Sequence, residues 1–393
     1  MKRQFALLIT AVAAINGCSD GPDVTQPGPA PEISLQASSN AEVIPGRFII
    51  TVRDGVSPSE VAEDHGVRPQ FVYTAALNGF AGAMSVAARD GLLRDARVTR
   101  VEPDGVARAV TTQSNATWGI DRIDQRALPL SGTYTYSNTG AGVTAYIIDT
   151  GIDYGHNEFG GRASLGYDAF GGNGTDCNGH GTHVAGTTGG ASYGVAKGVT
   201  LKAVRVLDCG GSGSWSGVIA GMDWVTANHQ AGSPAVANMS LGGGASSSVD
   251  DATRRMIADG VATAVAAGNG NPGGRAQDAC KYSPARTGEA MTVGATTSAD
   301  AKTSWSNYGA CVDWFAPGSG ITSAWIGNGS TETNTISGTS MASPHTAGVA
   351  ALYLQSNPGA SAQAVRDALF ANTTKGVVTG ANTANNHLLF TNY

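Results

Sequence analysis

The chain has 393 residues, enough for two or three domains. Its formal charge is −6 and only 14% of its residues are charged, which excludes a basic surface for nucleic acid. Fifty-five glycines beside 41% apolar residues argue for a compact fold rich in tight turns, and no apolar run reaches the roughly 18 residues of a membrane span.

Taken in order, Lys2 and Arg3 followed by the apolar stretch Phe5 to Ile15 predict a secretory signal over residues 1–18. Its end, Ile15-Asn16-Gly17-Cys18, resembles a bacterial lipoprotein box, with Asn16 unusual there. The other reading is ordinary cleavage after a small residue, and the residues leave both open. Lipidation would anchor the precursor to the membrane through Cys18. Residues 19–40 are Pro, Gly, Ser, Asp and Gln with scattered apolars, and predict a flexible linker.

The texture then changes. Gly46 to Val52 reads as a strand, and Ser57 to His65 as a short helix opened by Ser57-Pro58. Phe71 to Met84 gives strand material, Val86 to Asp95 a second helix, and Val98 to Glu102 a last strand. The order β-α-β-β-α-β predicts a small ferredoxin-like α+β unit over residues 41–110.

Residues 111–393 alternate apolar strands with helices. Val143 to Ile148, Leu201 to Leu207, Ala235 to Leu241, Val261 to Ala267 and Ala290 to Ala295 read as strands. Helices begin at His180, span Gly217 to His229 and Ser247 to Ala258, and follow Gly338. The fold class expected is α/β: a doubly wound, mostly parallel sheet with helices on both faces. Pro344 lacks an N–H and fits near the start of the last of these helices, which puts Ser340 at or just before its N-terminus.

Three motifs stand at strand ends or helix starts. Asp149-Thr150-Gly151 follows a strand directly. Asn178-Gly179-His180-Gly181-Thr182-His183 opens a helix, and Ala266-Ala267-Gly268-Asn269 closes a strand. With Ser340 they supply an aspartate, a histidine, a serine and an amide donor, in the chain order Asp149, His180, Ser340. Serine needs a neutral imidazole to take its proton, the imidazole needs a carboxylate to fix its tautomer, and an amide can meet the oxyanion. Each alone has a plainer reading: a turn aspartate, an N-cap serine, a turn asparagine. A metal reading of Cys177, His180 and His183 fails for want of further ligands. Five cysteines leave Cys18 as the odd one, so Cys177, Cys209, Cys280 and Cys311 admit three pairings. Pairing sequence neighbours would close two loops of similar size, each contributing roughly 3–4 kcal/mol in the chain-entropy model.

Asp149-Thr150-Gly151, Gly179-His180-Gly181-Thr182-His183-Val184-Ala185-Gly186 and Gly338-Thr339-Ser340-Met341-Ala342-Ser343-Pro344-His345 together resemble the three signatures of the subtilases. The resemblance covers nearly all of residues 111–393 and is greatest to the proteinase K branch, in particular the aqualysin-type secreted bacterial proteases. It implies a subtilisin-like serine endopeptidase with Asp149, His180 and Ser340 as the triad and Asn269 at the oxyanion hole. It also implies the bridges Cys177–Cys209 and Cys280–Cys311. Gly211, Gly213 and Trp215 on one segment, and Ser240, Leu241 and Gly242 on the other, would hold a substrate strand. Ala266, Ala267 and Gly268 would wall an uncharged first pocket, giving a broad apolar or aromatic P1 preference. The stretch Gly270 to Arg275 is longer than in close relatives.

The resemblance further implies structural calcium, held by Asp121, Asp124, Gln125, Ser131 and Thr133, with Asp313 at a second site. The plainer reading pairs Asp121 and Asp124 with Arg122 and Arg126. Residues 41–110 would be an inhibitory propeptide, cut near Val110 to free a monomeric, secreted enzyme that acts on proteins and peptides and is not membrane-bound. A non-catalytic binding protein on this scaffold would have lost a triad residue, and none is lost. An esterase of another fold would carry Gly-x-Ser-x-Gly, and Gly338-Thr339-Ser340-Met341-Ala342 stands instead.

Overall fold

A computed structural model describes residues 43–105 and 111–393. The signal segment, Cys18, the linker and the stretch around Val110 lie outside the described residues. The chain divides into two compact units, Met1–Arg108 and Ala109–Tyr393.

In the first unit β1 (Val43–Val52) is followed by α1 (Pro58–Asp64), β2 (Phe71–Tyr73), β3 (Gly79–Ala83), α2 (Val86–Leu92) and β4 (Val98–Gly105). The sheet order β2-β3-β1-β4 is the ferredoxin-like arrangement, and its β1 pairings are antiparallel. Ser57 caps α1 by accepting from Glu60 N, and Pro58 opens the helix where no N–H is needed. Ile50, Val61, Phe80, Leu92 and Val101 form a small core between sheet and helices.

The second unit starts with β5 (Thr111–Ser114), α3 (Trp118–Ile123) and β6 (Thr133–Tyr136). Then come β7 (Thr144–Asp149), β8 (Ala163–Asp168), α4 (His180–Gly189), β9 (Thr200–Arg205), α5 (Trp215–Asn228), β10 (Ala235–Met239) and β11 (Gly243–Gly244). The chain continues through α6 (Ser247–Ala258), β12 (Val261–Ala266), β13 (Tyr282–Ser283), β14 (Met291–Thr296) and β15 (Trp314–Pro317). It ends with β16 (Ile321–Ala324), β17 (Thr333–Ile336), α7 (Thr339–Ser356) and α8 (Ala362–Asn372).

Seven strands form one sheet in the order β15-β14-β12-β10-β7-β9-β8, with every pairing parallel. All residues of β10, β12 and β14 are buried, so these strands read as unbroken apolar runs rather than alternating ones. After β9 the chain crosses to β10 on the other side of β7. That reversal opens a crevice at the carboxyl ends of β7 and β10, where such sheets bind ligands. Both bridges form, Cys177–Cys209 and Cys280–Cys311, closing loops of 32 and 31 residues.

The helix after Gly338 begins earlier than its proline suggests. Pro344 lies inside α7 rather than at its first position, and Ser340 is the second helical residue. Lacking an N–H, Pro344 cannot bond the carbonyl of Ser340 four residues back. Ser240 Oγ donates to that carbonyl instead, at 2.7 Å. The proline thereby leaves a helix acceptor open to the segment after β10.

Candidate active site

Asp149 ends β7 with no exposed surface. Its Oδ1 accepts from Thr150 N and from His180 Nδ1, both at 2.8 Å, while Oδ2 is buried without a donor. Because a carboxylate only accepts, the proton sits on Nδ1 of His180, leaving Nε2 as the acceptor. His180 opens α4. Burial draws its pKa down, but the charge and hydrogen bond of Asp149, with a smaller contribution from Asp176, leave it above the usual value.

The glycines of the two motifs let these elements meet. A Cβ on Gly181 would lie 2.1 Å from Gly151 O, and Gly179, at φ +102°, has the Trp325 ring 2.4 Å from where its Cβ would be. His183 is one turn along and is fully buried. Its Nε2 donates to Ile321 O at 3.0 Å, and burial lowers its pKa to about 4.

Ser340 sits in the first turn of α7, where unpaired N–H groups and the dipole favour negative charge. Its Oγ donates to Ser240 O at 3.1 Å rather than to His180. Behind it a buried chain runs from Ser343 Oγ to Asn238 Oδ1 (2.7 Å) and from Asn238 Nδ2 to Ser240 Oγ (2.9 Å). Asn269 is held by its carbonyl end: Oδ1 accepts from Thr339 N and Thr339 Oγ1, each at 2.8 Å. That leaves its Nδ2 to donate elsewhere, and Asn269 and Ser340 line the same cavity.

This cavity, about 370 Å³, has Ala266, Ala267 and Gly268 on one side and Ser240, Leu241 and Gly242 on the other. No charged residue lines it. A second cavity of about 580 Å³ shares the wall Ser240 to Gly243 and adds His180, Gly211, Gly213 and Trp215. The indole of Trp215 packs against Gly243, where a Cβ would come within 2.8 Å of the ring. The sequence thus marks residues that line two adjoining cavities with a shared wall.

It does not mark the groups that hold them. Asn307 donates to Ala267 O at 2.9 Å and accepts from Gly270 N (3.1 Å) and Gln277 N (2.8 Å), clamping both ends of the loop after Asn269. Asn238 supports Ser240 and Ser343 from within β10. Neither stands in a pattern that separates it from any other polar residue in a turn or strand.

The calcium residues divide. Asp121 Oδ1 accepts from Ser131 N and Oγ, and Asp124 Oδ2 from Thr135 N. Asp124 Oδ1 is buried with no partner, and burial, then the charge of Asp121, raises the Asp124 pKa to about 6. The surface ion-pair reading fails, because Arg122 pairs with Asp300 at 2.7 and 2.8 Å and Arg126 donates to Asn372. Asp313 Oδ1 accepts from Arg366 at 2.5 Å and its Oδ2 from Thr292 N at 2.8 Å, so its carboxylate faces a guanidinium. No group of three or more His, Cys, Asp or Glu placed to hold a metal occurs among the described residues.

A model of the Subtilase family matches residues 140–388. The chain belongs to the subtilases. An extracellular serine proteinase of Thermus sp. (strain Rt41A) is 50% identical over 99% of both chains. Alkaline serine exoprotease A of Vibrio alginolyticus is 50% identical over 83% of this chain and 61% of its own. Among solved structures, a cold adapted subtilisin-like serine proteinase is 53% identical with a TM-score of 0.67, covering 70% of this chain and 98% of that one. This subtilase is therefore a subtilisin-like serine endopeptidase.

Proposed function

We propose that this subtilase hydrolyses peptide bonds through an acyl-enzyme on Ser340, with His180 as general base, Asp149 as its orienting carboxylate and Asn269 at the oxyanion. The observation that carries this is the 2.8 Å Asp149–His180 bond, with His180 lining one cavity and Ser340 and Asn269 lining the adjoining one across the shared Ser240 to Gly243 wall. Ser340 Oγ turns from Ser240 O to His180 Nε2, gives up its proton and attacks the carbonyl. Oxyanion charge then develops at the N-terminus of α7, beside the Asn269 amide. The protonated His180 passes its proton to the leaving amine, and water repeats the sequence to release the acid. A serine-directed phosphonylating reagent should label Ser340 and stop hydrolysis together; labelling elsewhere with loss of activity would refute the assignment.

The uncharged walls of the 370 Å³ cavity support broad cleavage after apolar or aromatic residues. Trp215 supports an apolar preference at the fourth position upstream. A peptide-library profile should show both. A profile dominated by Arg or Lys at the first position would count against this pocket.

Residues 41–110 are read as an inhibitory propeptide on their ferredoxin-like sheet, with self-cleavage near Val110. Export of the chain is supported by its two disulfides and by the extracellular Thermus relative. The mature enzyme is read as a monomer that is not membrane-bound. Asp121, Asp124, Gln125, Ser131 and Thr133 would hold one structural calcium, since the unpartnered Asp124 oxygen beside a second carboxylate suits a hard cation. A ligand at 100 times its Kd adds about 2.7 kcal/mol to the folded state. Excess chelator should therefore lower the melting temperature of the wild type but not of Asp124→Ala, with little change in kcat at moderate temperature. Equal melting curves with and without chelator would remove the site.

A further inference from the structure

The turn before α4 holds a carboxylate that the catalytic scheme does not use. Asp176 is 6% exposed and does not line the cleft. Its Oδ1 accepts from Thr150 Oγ1 (2.9 Å), Asn178 N (2.9 Å) and Gly179 N (3.0 Å). Its Oδ2 accepts from Thr182 N (2.9 Å) and Thr182 Oγ1 (2.7 Å). Thr150 Oγ1 in turn accepts from Gly181 N at 2.8 Å.

The positions of these donors matter more than their number. Thr150 directly follows Asp149, whereas Asn178, Gly179 and Thr182 bracket His180 on both sides. One buried charge thus ties the end of β7 to the start of α4, the two elements whose side chains must meet at 2.8 Å. We propose that Asp176 is a positioning residue for the His180–Asp149 pair, fixing the ring against its carboxylate and supplying a second negative charge behind it. This rests on the catalytic reading of His180 given above. A carboxylate accepting several N–H and O–H donors is rigid in a way a single capping bond is not.

The titratable groups that bear on His180 are Asp149, Asp176 and His183. His183, held near 4 by burial, is neutral at assay pH, so the two carboxylates set the charge behind the ring. Asp176→Asn removes one of these charges and turns an acceptor into a donor facing other donors. Enzyme purified from cells expressing the full chain should show kcat lowered by about 10-fold or more, up to the roughly 10²-fold that a 1 Å misplacement costs, with KM within about twofold. The acid limb of kcat/KM should move to lower pH, because losing a negative charge makes the imidazolium easier to deprotonate. The downfield proton resonance of the His180–Asp149 bond should shift or broaden.

Should Asp176→Asn not fold, Thr150→Val breaks only the tie between strand and helix while leaving the carboxylate in place. It should lower kcat severalfold and disturb the same resonance without moving the acid limb. A variant with reduced melting temperature but unchanged kcat, acid limb and resonance would overturn the proposal, reducing Asp176 to a turn stabiliser. His180→Ala separates the two failures. If it keeps full activity, the catalytic reading itself has failed; if it is inactive while Asp176→Asn behaves as wild type, only the positioning role has.

Discussion

Ser340→Ala is expected to lower kcat by on the order of 10⁶, the size of loss found on removing the nucleophile of subtilisin, a member of this family. The hydroxyl makes one hydrogen bond, to Ser240 O, and α7 is fixed by its buried flank and by the Thr339–Asn269 bonds, which the substitution leaves alone. The melting temperature should therefore move little while turnover disappears. A residual rate above background is still expected, because the Asn269 amide and the substrate cleft remain. On the propeptide reading the variant also accumulates as uncut precursor, visible as a band of full length on a denaturing gel. A purified Ser340→Ala enzyme that matured itself and cut casein normally would end the acyl-enzyme mechanism.

Asp149→Asn should cost about 10⁴ in kcat through a different route. Asp149 Oδ1 accepts from His180 Nδ1, and only an acceptor there keeps the proton on Nδ1 and the lone pair on Nε2. An amide nitrogen turned toward the ring reverses the tautomer and leaves Nε2 unable to take the serine proton. The charge matters as well. His180 sits above its usual pKa despite burial because Asp149 faces it, so removing that charge lowers the pKa. The acid limb of any remaining activity should then lie at lower pH than in the wild type. The shape of the site is kept, since Asn has the size of Asp and Oδ2 has no donor to lose. A normal pH profile with wild-type turnover would show that another group orients His180.

Much of this architecture was legible in the chain because it is written in unbroken apolar strands. Val261 to Ala267 and Ala235 to Leu241 could be placed to within about two residues, as burial on both faces leaves no polar interruption. The edge strand β8 was not seen. Ser164, Gly166 and Asp168 break its apolar run, and its Leu165 is 43% exposed, so it lacks the signature of a central strand. The strand β15 was hidden differently, because Trp314-Phe315-Ala316-Pro317 is short and ends in proline. The start of α7 beside Ser340 follows from the sequence, but Pro344 lies deeper in the helix than proline usually does, because an outside hydroxyl takes up the carbonyl it leaves free. At the site, side chains that contribute chemistry lie in long motifs, whereas Asn238, Asn307 and Asp176 orient them through hydrogen bonds to backbone and side-chain groups of several segments. Such bonds have no period or spacing to reveal them.

The Ser240 to Gly243 segment is a party wall, with one cavity on each of its faces. On the pocket assignment proposed above, preferences at the cut and further upstream are therefore coupled. A bulkier residue at Leu241 or Gly242 would narrow both cavities together, and evolution or design working there would trade one preference against the other. Independent control lies on the outer walls, with Trp215 bounding one side and Ala266 to Gly268 the other. Paired substitutions drawn one from each outer wall should combine additively, whereas pairs that include the shared segment should not.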